Sequence, residues 1–253
     1  MSDSHADRLW LTIVDEVSQA AADEPLLASF LHMTVLRHAS INDVLAFHLS
    51  SKLASPVMDV RVLMEVFQEV LAADGRIGEA LCADICACYE RDPACSDYSS
   101  PLLYFKGFHA IQIQRITHWL WENGRRTVAL FLQNRVSEVM GIDIHPAARI
   151  GYGIMLDHGT GVVVGETAVI GNNVSILHGV TLGGSGKVRG DRHPKIRDGV
   201  MIGAGAVILG NIQVGECAKV GAGSVVLENV PAHCTVAGVP ARIVNQATGG
   251  TPA

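Results

Sequence analysis

Charged and aromatic side chains are scarce in this chain. Asp, Glu, Lys and Arg make up 17% of its 253 residues, and Phe, Trp and Tyr only 5%. Nineteen Lys and Arg face twenty-five Asp and Glu, a formal net charge of −6, so there is no basic field to hold a nucleic-acid backbone and no nucleic-acid partner is expected. No uninterrupted apolar run approaches the ~20 residues that cross a bilayer. The start, MSDSHADRLW, lacks the basic and apolar regions of a signal peptide. The expectation is a cytoplasmic protein with no membrane contact. Paired CxxC spacing is absent as well: Cys82, Cys86, Cys88 and Cys95 crowd one segment, while Cys217 and Cys234 stand alone. Without a secretory start this argues against a zinc or disulfide framework, and for reduced thiols that pack as small apolar groups.

Apolar residues, by contrast, make up 49% of the chain, enough for a full core. Their pattern changes near Gly141, beyond which Trp and Phe vanish and Gly, Val and Ile dominate. Before it, three- and four-residue spacing in RLWLTIVDEV, PLLASFLHMTVL and DVRVLMEVFQEVL marks amphipathic helices. Ser40 with Asp43 resembles a capping box, and Ser55 ahead of Pro56 reads as an N-cap before a proline at the first helical position. Gly124 and Gly141 stand where the helices over 109–123 and 127–140 should stop.

After Gly141 the period becomes six. Counted from Ile144, positions Ile150, Leu156, Val162, Ala168, Val174 and Val180 are apolar; counted from Ile196, so are Ile202, Ile208, Val214, Val220 and Val226. A hexapeptide period marks a parallel β-helix, in which each coil buries the apolar stripe of its neighbours. The fold class is therefore α+β: a helical region over 1–141, a β-helix over 142–243, and a flexible tail over 244–253. From Val180 to Ile196 the spacing is 16, not a multiple of six, so part of LGGSGKVRGDRHPK leaves the coil as a loop near 183–195. That loop carries Lys187, Arg189, Arg192, His193 and Lys195, side chains suited to substrate contacts.

Among its aliphatic neighbours the second half places Asp143, His145, Asp157, His158, His178, Asp191, Arg192 and His193. Acyl transfer to an alcohol needs a base to take the hydroxyl proton as the bond forms, and neutral imidazole suits that work near pH 7. A carboxylate beside it fixes the tautomer and stabilises the imidazolium. Asp143 and His158, 15 residues apart, are placed to lie on neighbouring coils. On the residues alone, a lone histidine in a turn reads equally as an exposed or structural group.

The stretches IDIHPAARIGYGIMLDHGTGVVVGETAVIG, SILHGVTLGG, GDRHPKIRDGVMIGAGAVILGNIQVG and GSVVLENVPAHCTVAGVPARIV resemble bacterial serine O-acetyltransferases. So does RDPACSDYSSPLLYFKGFHAIQIQRITHWLWENGRR in the helical half. The resemblance spans nearly the whole chain, and the helical part discriminates, because many acyltransferases share plain hexapeptide repeats. It implies a left-handed β-helix and transfer of acetyl from acetyl-CoA to the L-serine hydroxyl, in cysteine biosynthesis, with feedback inhibition by L-cysteine. His158 of the LDH motif is then the general base and Asp143 of IDIHP its partner. Asp92 of RDP, Asp157, Arg192 and His193 match family positions that hold the amino acid. For Asp92 the residues alone suggest a helix end before Pro93, and for Arg192 a solvated loop charge. His145 and His178 read as supporting or structural, and Glu166 as a supporting group or an exposed turn residue.

The resemblance further implies trimers with sites between subunits, and trimers paired into hexamers through the helical half. Gly183, Gly184, Ser185, Ala204 and Ala222 are then expected along the pantetheine arm, and Lys219 and Arg242 at the CoA phosphates. No metal is expected. In the family a tail ending in isoleucine inserts into O-acetylserine sulfhydrylase; this sequence ends ATGGTPA, which puts that partner in doubt. Three rivals stand beside this reading. One is an O-acetyltransferase for another hydroxylated acceptor, and one a hydratase with zinc held by His158, His178 and His193 across an interface. The third is a non-catalytic scaffold for a sulfhydrylase.

Overall fold

The structure, a computed structural model, describes residues 5–186 and 189–246. Lys187, and residues 247–253 on which the sulfhydrylase expectation rests, lie outside the described residues. The first half folds as α1 (His5–Asp23), α2 (Pro25–Leu31) running into a π-helical turn (His32–Leu36), α3 (Ile41–Leu53) and α4 (Val60–Ala73). It continues with α5 (Gly75–Arg91), α6 (Ser99–Tyr104), α7 (Lys106–Glu122) and α8 (Arg126–Met140). Ser40 caps α3 as the sequence suggests: its Oγ accepts from the Asp43 N–H at 3.2 Å and donates to the Asp43 carboxylate at 2.7 Å. Ser55 does not cap α4. It forms a turn with Met58 through two backbone hydrogen bonds, and α4 begins later, with the Asp59 carboxylate accepting from the Arg61 N–H at 2.8 Å. Gly141 ends α8 at φ 69°, a left-handed cap that favours glycine.

The second half is a three-faced prism of short strands. They are β1 (Asp143–Ile144), β2 (Arg149–Ile150), β3 (Met155–Leu156), β4 (Val163–Val164), β5 (Val169–Ile170), β6 (Ser175–Ile176), β7 (Thr181–Gly183) and β8 (Lys195–Ile196). The series continues with β9 (Met201–Ile202), β10 (Val207–Leu209), β11 (Gln213–Val214), β12 (Lys219–Val220), β13 (Val225–Val226), β14 (Cys234–Gly238) and β15 (Ala241–Gln246). Parallel pairing stacks β1-β4-β7-β10-β13 on one face, β2-β5-β8-β11 on the second and β3-β6-β9-β12-β14 on the third, which β15 closes as an antiparallel strand. β15 runs to Gln246, so the end of the folded region lies beyond the expected boundary at residue 243.

Most hexads bury two apolar positions two residues apart, such as Ile142 with Ile144, Val162 with Val164, Ala168 with Ile170, and Val200 with Ile202. This corrects the hexad count. The turn after Leu156 holds two extra residues, so Ile144 pairs with Val164 and not Val162, and the count passes from one buried column to the other without a break in the apolar pattern. The later break is the expected one: Thr181 pairs with Val207, 26 residues on, where the coils before and after it on this face, Val163 to Thr181 and Val207 to Val225, take 18. Eight residues are thus extruded between β7 and β8.

The two halves share one apolar core, with α7 and α5 packed on β3 and α8 on β1. A buried ion pair pins them. Arg115 of α7 donates from Nη2 to Asp84 Oδ2 of α5 at 2.7 Å and from Nη1 to the Ile150 carbonyl, while the Ile154 N–H donates to Asp84 Oδ1 at 2.7 Å. Burial pushes the Asp84 carboxyl up from its usual range, and Arg115, Gln112 and the Ile154 amide counter that by donating to the ionised form.

Candidate active site

Three columns of turns run down the edges of the prism, and the expected site residues fall on two of them. On the edge between the third and first faces, β3 leads into Asp157–Gly161. His158 sits there at φ 55°, a left-handed conformation that L residues rarely adopt. The Gly159 N–H closes a three-residue turn around it, donating to the Asp157 carbonyl at 2.6 Å. The helical half braces this turn. Lys106 Nζ donates to Thr160 Oγ1 at 2.5 Å, and Gly107 lies so close that a Cβ on it would stand 1.9 Å from the Leu156 carbonyl oxygen. The outcome is an imidazole projected outward: the His158 side chain is 75% exposed, with Nε2 3.7 Å from Asp157 Oδ1. Its ring centroid is 5.9 Å from that of His178. His178, Ala204 and Ala222 follow down the same edge, held in register by Gly179 N–H to the Thr160 carbonyl, Gly205 N–H to His178 and Gly223 N–H to Ala204, each at 2.8 Å.

Asp143 opens β1 beside this edge, its N–H on the Val162 carbonyl at 2.9 Å. The expected placement on neighbouring coils does not hold: Asp143 pairs with Val163 one coil on, so His158, 15 residues along, lies near the end of the coil that Asp143 opens. Among the described residues no hydrogen bond or ion pair joins the two within one chain: Asp143 Oδ1 accepts from Gln133 Nε2 of α8 at 2.6 Å, while His158 faces Asp157 and His178. Asp92 follows the last turn of α5, where its Oδ1 accepts from the Ala94 N–H at 2.9 Å, the helix-end role that residues alone suggest. Its neighbour Arg91 ties that end of the helix to the third face, donating to the Gly153 carbonyl at 3.0 Å and to Ser175 Oγ at 3.2 Å.

A second cluster occupies the edge between the first and second faces. Arg192 Nη2 donates to Glu166 Oε2 at 2.7 Å, and that bond holds the Glu166 carboxyl below its usual range. His193 is 6% exposed and folds over Gly165, where a Cβ would stand 2.0 Å from its Nε2. Burial first, and then the Arg192 charge, lower the His193 pKa; burial likewise lowers that of His145. Both rings are therefore neutral near pH 7. Lys195 Nζ fastens the returning loop, donating to the Thr167 carbonyl at 2.6 Å, the His193 carbonyl at 3.0 Å and Asp191 Oδ1 at 2.5 Å. Gly183 and Gly184 form the neck of the loop: the Gly183 carbonyl accepts from the Gly210 N–H at 2.9 Å, and a Cβ on Gly184 would stand 3.2 Å from Arg192 Cγ. Ser185 is exposed just beyond.

Lys219 and Arg242 are exposed on the third face, Lys219 opposite Thr235 and Arg242 opposite Ala237. One chain thus brings His158, His178, Asp157, Ala204 and Ala222 to one edge, and Glu166, Arg192, His193 and the loop neck to another. Arg91, Lys106, Gly107 and Thr167 were not singled out from the sequence. Arg91, KGF and the threonine of VGET all lay inside stretches that carried the family resemblance, but none had a signal of its own.

Residues 9–113 match the family model for the serine acetyltransferase N-terminal region, and residues 193–228 the model for six repeats of the bacterial transferase hexapeptide. The serine acetyltransferase of Escherichia coli K12 is 57% identical over 252 residues, which cover 100% of this chain and 92% of that relative. The Neisseria gonorrhoeae serine acetyltransferase solved in complex with serine superposes with a TM-score of 0.90 at 67% identity, over 92% of this chain and 96% of that one. A serine acetyltransferase solved in complex with CoA gives 0.91 at 55% identity, over 94% and 99%. The prism is the left-handed parallel β-helix of these enzymes. By sequence over its whole length and by fold, the chain belongs to the serine acetyltransferases.

Proposed function

We propose that this chain transfers the acetyl group of acetyl-CoA to the hydroxyl of L-serine, giving O-acetyl-L-serine and CoA for cysteine biosynthesis, at sites assembled between copies of the chain. The observation that carries the reading is the bracing of the His158 turn by Lys106 and Gly107. The helical region that matches the serine acetyltransferase model is thereby built into the presentation of the base. In the reaction His158 takes the proton of the serine hydroxyl as its oxygen attacks the thioester carbonyl. The tetrahedral intermediate collapses with loss of CoA thiolate, and the imidazolium returns the proton to that sulfur. A loop amide near Gly184 supports the oxyanion.

Asp157 beside His158 and Asp92 at the end of α5 suit the serine ammonium, and Arg192 with neutral His193 suits its carboxylate. Asp157 with His158 and Arg192 with His193 lie on two edges of one prism, so a complete site takes the His158 edge of one copy and the Arg192 edge of the next. Asp143 is assigned the supporting carboxylate in that assembled site, where the His158 ring is no longer exposed. Acetyl-CoA then runs between the Ala204 and Ala222 column and the loop neck at Gly183, Gly184 and Ser185, with Lys219 and Arg242 toward its phosphates. L-Cysteine shares the ammonium and carboxylate of serine and so competes at the same contacts.

The regions over 1–141 and 142–243 serve as assembly and catalytic parts respectively. Leu11, Leu26, Leu27, Phe30 and Met33 are 38–86% exposed on α1, α2 and the π-helical turn, an apolar patch suited to pairing trimers into a hexamer. No helix among the described residues is long and apolar enough to cross a membrane; a cytoplasmic site of action fits the use of acetyl-CoA. A thiol-release assay with acetyl-CoA and a panel of hydroxylated acceptors tests the assignment. L-Serine should exceed every sugar or other alcohol, and a better non-amino-acid acceptor would overturn it. A metal analysis of the purified enzyme tests the zinc alternative.

A further inference from the structure

We infer that Thr167 is a positioning residue: it fixes His193 in the tautomer that carries its proton on Nε2, so that the ring donates to the carboxylate of the bound amino acid. The inference rests on the function proposed above. Thr167 Oγ1 accepts from two backbone amides, Arg192 N–H at 3.0 Å and His193 N–H at 3.1 Å. A hydroxyl has two lone pairs and one proton, so with both lone pairs engaged its proton points outward, and His193 Nδ1 lies 2.8 Å away. The Thr167 backbone N–H donates to the same ring nitrogen at 3.1 Å. A nitrogen facing two donors presents a lone pair to them, which leaves the ring proton on Nε2.

The Asp191 carboxylate also draws on the Thr167 hydroxyl, but it competes only for that proton. The backbone amide is a second donor to the same nitrogen, and Nδ1 is held firmly as an acceptor when the hydroxyl donates to it as well. Glu166, Arg192, Lys195 and His145 are the other titratable groups acting on the ring. Nε2 packs against Gly165 and Gly184, where a Cβ would stand 2.0 Å and 3.3 Å from it, so a side chain at either position would crowd that donor. Thr167 also holds the backbone of both Arg192 and His193, the two residues that meet the carboxylate, through one oxygen atom.

The test compares Thr167→Val, which keeps shape and backbone N–H but loses the hydroxyl, with Thr167→Ser, which keeps the hydroxyl. Steady-state kinetics and calorimetric titration with L-serine are the readouts. Thr167→Val should raise the serine KM and Kd about tenfold or more while the acetyl-CoA KM stays within about twofold, and Thr167→Ser should restore most of the loss. Equal rises in both KM values, or no rescue by serine, would reduce Thr167 to a merely structural residue and overturn the inference. Should Thr167→Val fail to fold, His193→Gln and His193→Asn decide: Gln places an N–H near the Nε2 position and should bind serine more tightly than Asn, and the reverse order contradicts the tautomer. Histidine-selective nitrogen NMR of the wild-type enzyme reads the tautomer without reference to activity. A proton on Nδ1 would sink this inference alone, whereas a wild-type enzyme inert toward serine would sink the functional reading.

Discussion

His158 combines an exposed side chain with a backbone held in the left-handed region, so its position owes little to its own packing and much to Asp157, Gly159 and the helical half beneath. His158→Ala should therefore lower turnover about a thousandfold while oligomer size and melting temperature stay near wild type. Turnover within a few-fold of wild type would remove His158 from the mechanism. Asp143→Asn should cost less, because the imidazole remains and only its support weakens. Gly107 belongs to the same account. Its Cα approaches the Leu156 carbonyl so closely that Gly107→Ala puts a methyl carbon 1.9 Å from that oxygen, which only separation of α7 from β3 can relieve. The expected result is a loss of about 2 kcal/mol or more of stability in denaturant titration, with kcat falling as well because the His158 turn loses its brace. A Gly107→Ala enzyme of unchanged stability would show that α7 does not hold the turn.

At the scale of elements, the helical half is tied together by neutral imidazoles. His48 of α3 and His109 of α7 donate from Nε2 to the last carbonyls of α6, Leu103 at 3.1 Å and Leu102 at 2.8 Å, and their rings meet edge to face at 5.1 Å. Burial lowers the pKa of His48 to about 4 and that of His109 to about 3, with the charge of Lys52 acting in the same direction on both. The unfolded chain takes up these protons near pH 6.5 while the folded chain does not. The stability they contribute, about 3 kcal/mol or more each, is thus full above pH 6.5 and drains away as the pH falls toward 4 and 3. Thermal melts between pH 7.5 and 4.5 should show a falling midpoint that His109→Leu flattens, and a midpoint indifferent to pH contradicts the account.

Local chemistry made most of these elements legible in the sequence. Helical spacing, the Ser40 cap and the stop at Gly141 all act within a turn or two of the chain. Ser55 misled because its backbone closes a separate turn with Met58, a bond that a capping pattern does not anticipate. The hexad count misled for a geometric reason: the two buried columns lie two residues apart, the same as the insertion at the His158 turn, so the slip leaves the apolar pattern intact. Which edge a residue occupies depends on that slip and on the eight-residue extrusion. The family motifs could therefore name His158, Asp157, Arg192 and His193, but not their division between two edges. Thr167 stayed hidden because its partners are backbone amides and a ring nitrogen about 26 residues away.

For the whole molecule, His158 stands on one edge of the prism and Arg192 with His193 on another, so the function proposed above makes the active site a property of the assembly. The edges are joined by one rigid face, β1-β4-β7-β10-β13, whose continuous parallel pairing leaves no hinge between them. In the proposed assembly a second copy brings its Arg192 edge to the His158 edge of the first. The direct test is co-expression of His158→Ala chains with Arg192→Ala chains, each nearly inactive alone. In a randomly mixed oligomer a site built from two copies has one chance in two of drawing an intact His158 edge and one in two of drawing an intact Arg192 edge, so about a quarter of wild-type activity should return. Activity no greater than that of the two parent variants would mean that each chain carries its own complete site, and would contradict the account.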